Sequence, residues 1–374
     1  MKLFQCSKCQ HVLYFENTRC ERCKSPLGYL PELEQLVPLV ATTQKDIWET
    51  TAMPSASWRY CENHQQDVCN WLIAADDPDE LCSACRLNRH IPNLSDSSHH
   101  EAWRALEVAK HRLVYSLYRF HLPLASKLDQ PDSGLAFDFV DEDGHLPEGV
   151  AATTGHAEGL VTININEADN VEREQMREDM DESYRTLIGH FRHEIGHYYW
   201  ELLVQPDDEV LARFRSCFGD ERANYGESMA RYYQEGAPAS WRQQFISAYA
   251  TSHPWEDWAE SWAHYLHLID MLETAFAFGL SLAPAVDESP SGESLLSTEA
   301  TFDPYLQQDF GTILDVCLPV TYAVNSLNRS MGQPDVYPFV LSDAVVAKLA
   351  FIHELLWHWR QATPQVTVTR SGSA

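Results

Sequence analysis

The chain has 374 residues, 44% of them hydrophobic, enough for a substantial core with small metal-stapled modules beside it. Its formal net charge of −28 argues against a phosphate-binding surface, because affinity for nucleic acid depends on lysine and arginine neutralising phosphates. No stretch reaches a membrane span by this reading; Thr274 to Val286 comes nearest, and it is short and broken by proline.

Eight of the ten cysteines fall before residue 86. Residues 1–30 carry Cys6-x-x-Cys9 and Cys20-x-x-Cys23, two knuckles separated by ten residues, a spacing that brings four thiolates around one tetrahedral zinc. Disulfides would need an oxidising compartment, and the start Met-Lys-Leu-Phe-Gln-Cys has neither the apolar core nor the cleavage site of a signal peptide. The expectation is a cytoplasmic zinc ribbon. Leu30 to Pro54 reads as a partly polar connector, with Lys45 to Trp48 packing on a neighbour. Residues 55–95 hold Cys61, Cys69, Cys82 and Cys85, a second four-sulfur set in which the wider spacing of the first two leaves room for His64 to replace one. Soft thiolates suit a closed structural site and favour four cysteines. Cys217 and Cys317 stand alone in apolar surroundings and read as small buried residues.

A helix-rich region follows. His99-His100-Glu-Ala-Trp-Arg-Ala-Leu opens a long helix, with both histidines at its solvated start, and Gly159 to Asn166 alternates apolar and polar as a strand does. In zinc hydrolases a strand of this kind at a sheet edge holds an extended peptide; an ordinary sheet strand fits as well. The charged run Glu167 to Asp181 comes next. From Asp181 to Val204 there is no proline, and Tyr184, Leu187, Ile188, Phe191, Ile195, Tyr198, Leu202 and Leu203 recur at helical spacing, with Asp179, Asp181 and Glu182 at the favourable end of the dipole.

This helix contains His193-Glu194-x-x-His197. One turn apart, the two imidazoles reach one zinc ion, and Glu194 stands beside it as general base. Two histidines leave the metal short of a protein ligand. The metzincin continuation is excluded, because Trp200 and Leu203 occupy its glycine and histidine positions. A second helix starts after His253-Pro254 and carries Glu256 and Glu260 one turn apart: one carboxylate binds zinc and the next accepts the outer N–H of a ligand imidazole. Spacing alone leaves Glu221 and Glu227 in competition with Glu256. His190 packs, covers the site or binds substrate, and Arg192 makes an ion pair.

Asp287 to Thr298 reads as a flexible linker, and Phe302 to Gln361 as helical, interrupted by the polar segment Asn325 to Tyr337. Turn bonds account for Asn325, Asn328, Arg329 and Asp335 as well as a grip on substrate does. His353-Glu354-Leu-Leu-Trp-His358 imitates the zinc string with one residue too many, which turns His358 away from His353.

The segment 190–200, His-Phe-Arg-His-Glu-Ile-Gly-His-Tyr-Tyr-Trp, followed by Tyr249-Ala-Thr-Ser-His-Pro-Trp-Glu-Asp-Trp-Ala-Glu260, resembles the bacterial family of zinc-binding metallopeptidases with an N-terminal zinc ribbon. The resemblance covers nearly the whole chain, including Cys69-Asn-Trp-Leu, Cys85-Arg-Leu-Asn and Asn325 to Gly332. The Glu256 and Glu260 pattern is also similar to gluzincins, particularly the lethal-factor-like peptidases. That likeness implies that Glu256 binds zinc, that Glu260 supports a ligand, and that Tyr249, seven residues before Glu256, helps stabilise the oxyanion. The combined expectation is an α+β, mainly helical zincin-like domain with a small edge sheet, preceded by zinc-ribbon modules. Its parts are residues 1–30, 55–95, 96–286 and a C-terminal helical region 299–362. One catalytic and two structural zinc ions serve a cytoplasmic peptidase acting on a peptide or protein, with no nucleic-acid or membrane partner and with protein contact through the ribbon. The other class is a noncatalytic zinc-ribbon scaffold, against which an intact Glu194 speaks.

Overall fold

The computed structural model describes residues 2–141, 154–169, 173, 186–285 and 296–362. The architecture is α+β and mainly helical. The chain divides into two compact units: Leu3–Asp169, and one holding the helices from Leu187 to Ala362. The charged run up to Asp181, the acidic start expected at Asp179, Asp181 and Glu182, and most of the Asp287 to Thr298 linker lie outside the described residues.

In the first unit the two cysteine modules share one core with the long helix α1 (Ser97–Arg119) and do not stand as separate beads. Phe15, Tyr29, Trp71 and Tyr115 pack ring on ring, with centroids 4.9 Å apart for Phe15–Tyr29 and for Tyr29–Trp71 and 5.6 Å for Phe15–Tyr115. Such aromatic pairs stabilise beyond the area they bury. The Asn70 side chain donates to the Phe15 carbonyl at 2.7 Å, joining the second module to the first. Asp96 caps α1 by accepting from the Ser98 N–H, and Trp103, Leu106, Leu113 and Leu117 form its buried stripe.

The expected connector from Leu30 to Pro54 is instead structured. Gln35–Pro38 pairs antiparallel with Leu27–Leu30, and Val40–Ala41 and Trp48–Glu49 extend the sheet that Ser57–Tyr60 and Leu72–Ala74 complete. Its apolar residues turn inward on a cluster of Leu30, Val37, Leu39, Trp58 and Leu72, against which Trp48 packs, so the boundaries expected at 30 and 55 fall inside continuous structure. The same unit runs on through residue 96 to Asp169.

The strand reading of Gly159 to Asn166 corresponds to Leu160–Asn164, followed by a 3₁₀ turn at Ile165–Ala168. It is not an edge. It pairs in parallel with Ala136–Val140 on one side and antiparallel with Gly155–Ala157 on the other, in a four-stranded sheet whose far member is Asn88–His90. Glu158 and Gly159, both with positive φ, make the two-residue hairpin that brings Gly155–Ala157 back over its free side.

The second unit is helical: α2 (Leu187–Leu203), α3 (Asp208–Phe218), α4 (Tyr225–Glu235), α5 (Pro254–Ala277), α6 (Phe310–Ser330) and α7 (Asp343–Ala362). Its core is the pairing of α2 with α5. Gly196 makes their approach close, because a Cβ there would meet the Ala259 Cα at 3.1 Å and the Trp262 ring at 3.2 Å. The Trp258 indole donates to the Gly196 carbonyl at 2.8 Å, and Tyr199 stacks on Trp262 with centroids 5.3 Å apart. Helix α7 is pinned to α5 by a buried ion pair, Lys348 Nζ to Asp257 Oδ2 at 2.6 Å.

Helix α6 corrects one expectation. Among the described residues it alone is long and apolar enough to cross a membrane by length and composition. Ile313, Val316, Cys317 and Val320 are nonetheless buried in the fold. Cys317 is buried as expected, whereas Cys217 is only half-buried.

Candidate metal centres

The first cysteine centre is built by two matching turns. In each Cys-x-x-Cys the residue after the second cysteine, Gln10 or Lys24, takes a left-handed conformation, and its N–H returns to the carbonyl of the first cysteine at 2.8 and 2.9 Å. Both thiols of each pair are thereby turned to one side. Cys6 Sγ lies 3.7 Å from Cys23 Sγ, and Cys9 Sγ 3.6 Å from Cys20 Sγ. Four sulfurs on a tetrahedral zinc at about 2.3 Å stand about 3.8 Å apart, so the set fits that ion, and no pair is close enough for a disulfide.

Cys61, Cys69, Cys82 and Cys85 converge in the same way, all four buried, with Cys69 Sγ and Cys82 Sγ 3.8 Å apart. Backbone N–H groups of Trp71, Cys82 and Cys85 donate to Cys69, Cys61 and Cys82 at 3.3 to 3.4 Å, which disperses thiolate charge. His64 does not replace a cysteine: its Nδ1 meets the Cys69 carbonyl at 2.8 Å and its ring stacks on Tyr60. Beside this set stand Glu107 and His111 of α1, with His111 Nε2 3.7 Å from Cys85 Sγ and Nδ1 2.7 Å from the Glu107 carbonyl. Sequence reading missed them, although their i, i+4 spacing was visible, because the helix around them reads as an apolar stripe.

In the second unit α2 and α5 meet at the third centre. Thr186 caps α2 by accepting from the Gly189 N–H, and His253 caps α5 by accepting from the Trp255 N–H, with Pro254 in the first turn. Glu256 thus falls in the first turn of α5, while His193 and His197 stand one turn apart further along α2. Glu256 Oε2 lies 3.0 Å from His193 Nε2 and 3.6 Å from His197 Nε2. Nitrogen and oxygen donors about 2.05 Å from a tetrahedral zinc stand about 3.3 Å apart, so these three side chains match the ion. Glu260 Oε1 meets the outer His193 nitrogen, Nδ1, at 2.6 Å and fixes which nitrogen faces inward.

Glu194 is buried, and His190 Nε2 lies 3.1 Å from its Oε1. Burial pushes this carboxyl up, but the His190 hydrogen bond and the charge of His193 outweigh it and bring it to about 2, so Glu194 is a carboxylate at neutral pH. Tyr249 sits in a 3₁₀ turn with its ring centroid 5.9 Å from that of His193, and burial drives its phenol far upward. Tyr225, which sequence reading did not single out, donates its hydroxyl to Glu256 Oε1 at 2.9 Å.

The competing carboxylates are elsewhere. Glu221 is held by Arg215 Nε at 2.9 Å, and Glu227 is exposed in the first turn of α4. Arg192 has its expected ion pair, with Asp270. The imitation string is structural: His353 Nδ1 meets the Tyr265 hydroxyl at 2.9 Å, and Glu354 pairs with Arg213 at 2.6 Å. The polar segment that spans the end of α6 and the turn beyond it is held by local bonds. Asn325 exchanges hydrogen bonds with the Tyr337 backbone at 2.8 and 3.0 Å, and Arg329 pairs with Asp335 at 2.6 Å.

A zinc-ribbon region followed by a helical domain with a His/His/Glu centre defines a class of zinc-binding metallo-peptidases. The family described as “Putative zinc-binding metallo-peptidase” matches residues 99–355, a zinc-ribbon domain matches residues 3–96, and the chain belongs to that metallo-peptidase family. It is similar to an uncharacterized protein of Mycobacterium bovis and to two of Mycobacterium tuberculosis. Each is 40% identical over 356 residues, covering 95% of this chain and 95% of the relative. No solved structure matches the chain significantly.

Proposed function

We propose that the protein is a gluzincin-type zinc peptidase in which His193, His197 and Glu256 hold the catalytic metal, Glu194 is the general base, Glu260 orients His193 and Tyr249 donates to the oxyanion. One observation carries this reading: a buried carboxylate, Glu194, follows His193 on α2, and among the described residues the donor set of His193, His197 and Glu256 has three side chains. A structural zinc is closed by four protein ligands, whereas a catalytic one keeps a position for water. Zinc bound there supplies Lewis acidity that polarises the scissile carbonyl and acidifies water. Glu194 accepts the proton of the attacking water and delivers it to the leaving amine. Tyr249, held protonated by burial, has an O–H to offer the developing negative charge.

The cysteine sets take one structural zinc each, giving three ions per chain, and reduced thiols of this kind suit the cytoplasm. The ribbon serves protein contact or support, and the substrate is a peptide or protein, since the acidic charge disfavours nucleic acid. The test is zinc-loaded protein on a peptide library, wild type against Glu194→Gln. The variant keeps zinc and loses about two orders of magnitude or more in turnover. Equal cleavage by both would leave the noncatalytic scaffold as the better account.

A further inference from the structure

Glu256 presents its two oxygens to different neighbours. Oε2 faces both imidazoles, while Oε1 accepts the Tyr225 hydroxyl at 2.9 Å. A carboxylate committed in this way offers a metal one oxygen. Released, it can turn both oxygens to the ion and fill the position that water and a scissile carbonyl need.

The bond is built into the backbone. His253 accepts from the Trp255 N–H through Nδ1 at 3.1 Å, capping the helix that carries Glu256, and its Nε2 meets the Ala223 carbonyl at 3.0 Å. One tautomer, proton on Nε2, satisfies both contacts. It thereby ties the chain just before Tyr225 to the start of α5. Asn224 then caps α4, and the Tyr225 ring stands edge-on to His253 with centroids 5.2 Å apart. Helix α4 has no buried side chain, and this linkage, with the Tyr232 ring 5.7 Å from that of Tyr249, registers Tyr225 against Glu256.

We propose that Tyr225 is a positioning residue of the metal centre, whose hydroxyl holds Glu256 to single-oxygen ligation and keeps a coordination position open. This rests on the peptidase reading above. Tyr225→Phe removes the hydroxyl and keeps the ring against His253, so the fold is retained.

Cobalt(II) is exchanged into the chelator-labile site of full-length protein while the cysteine clusters keep zinc. The visible d–d bands then report coordination number, and chelator competition reports affinity. Wild type gives the stronger absorption of a low-coordinate ion. In Tyr225→Phe the bands weaken as the second carboxylate oxygen binds, cobalt affinity changes by about ten- to hundredfold, and the thermal transition stays in place. Identical spectra and affinities in the two proteins would overturn the inference while leaving the metal centre standing. A wild type that takes up no labile cobalt would overturn both.

Discussion

Removing Glu260 tests the proposed division in which Glu256 is a ligand and Glu260 supports one. Its Oε1 lies 2.6 Å from His193 Nδ1, and it makes no contact with the inward-facing nitrogen that Glu256 meets at 3.0 Å. Glu260→Ala therefore leaves all three donors present but frees the His193 ring to rotate and to change tautomer. Losses of this kind cost about ten- to hundredfold in metal affinity, or about 1.4 to 2.7 kcal/mol. Glu256→Ala removes a donor and its negative charge from between two imidazoles, and the site empties. The assay is competition with a chromogenic chelator at fixed pH, with zinc in the cysteine clusters measured separately as the control for folding. Glu260→Ala binding zinc as tightly as wild type, or Glu256→Ala retaining the labile ion, would refute the division of roles between the two carboxylates.

Elemental analysis of purified protein is expected to find about three zinc ions per chain, two of them resistant to mild chelation; a single tightly bound zinc would remove the two-cluster reading. Lys348→Met strands Asp257, which is fully buried and whose carboxyl is already pushed up to about 7 by that burial despite the lysine. Breaking one side of such a pair costs about 3 to 5 kcal/mol, read by chemical denaturation, and a loss below about 1 kcal/mol would show that the pair does not pin α7 to α5.

The amino-acid sequence by itself determined whatever depends on neighbours along the chain. The Cys-x-x-Cys pairs and the two histidines of α2 were legible because turn geometry and the 3.6-residue helical period set which side chains share a face. So were the start of α5 at Pro254 and the failure of His353 and His358 as a pair. What required the tertiary structure is whatever depends on how elements meet. Spacing left Glu221, Glu227 and Glu256 open; only the close α2–α5 crossing at Gly196 brings Glu256 between His193 and His197, while Arg215 draws Glu221 away. Alternation identified Leu160–Asn164 as a strand but carried no information about its partners, and the hairpin at Glu158 and Gly159 made it interior. Tyr225 left no readable signal, since its role arises from a residue 31 positions away, and the visible i, i+4 spacing of Glu107 and His111 said nothing of the cysteine cluster they stand beside. Local periodicity is set by backbone stereochemistry within a few residues, whereas a third ligand, a sheet order and a hydrogen bond to a carboxylate are set by side-chain packing between segments distant in the chain.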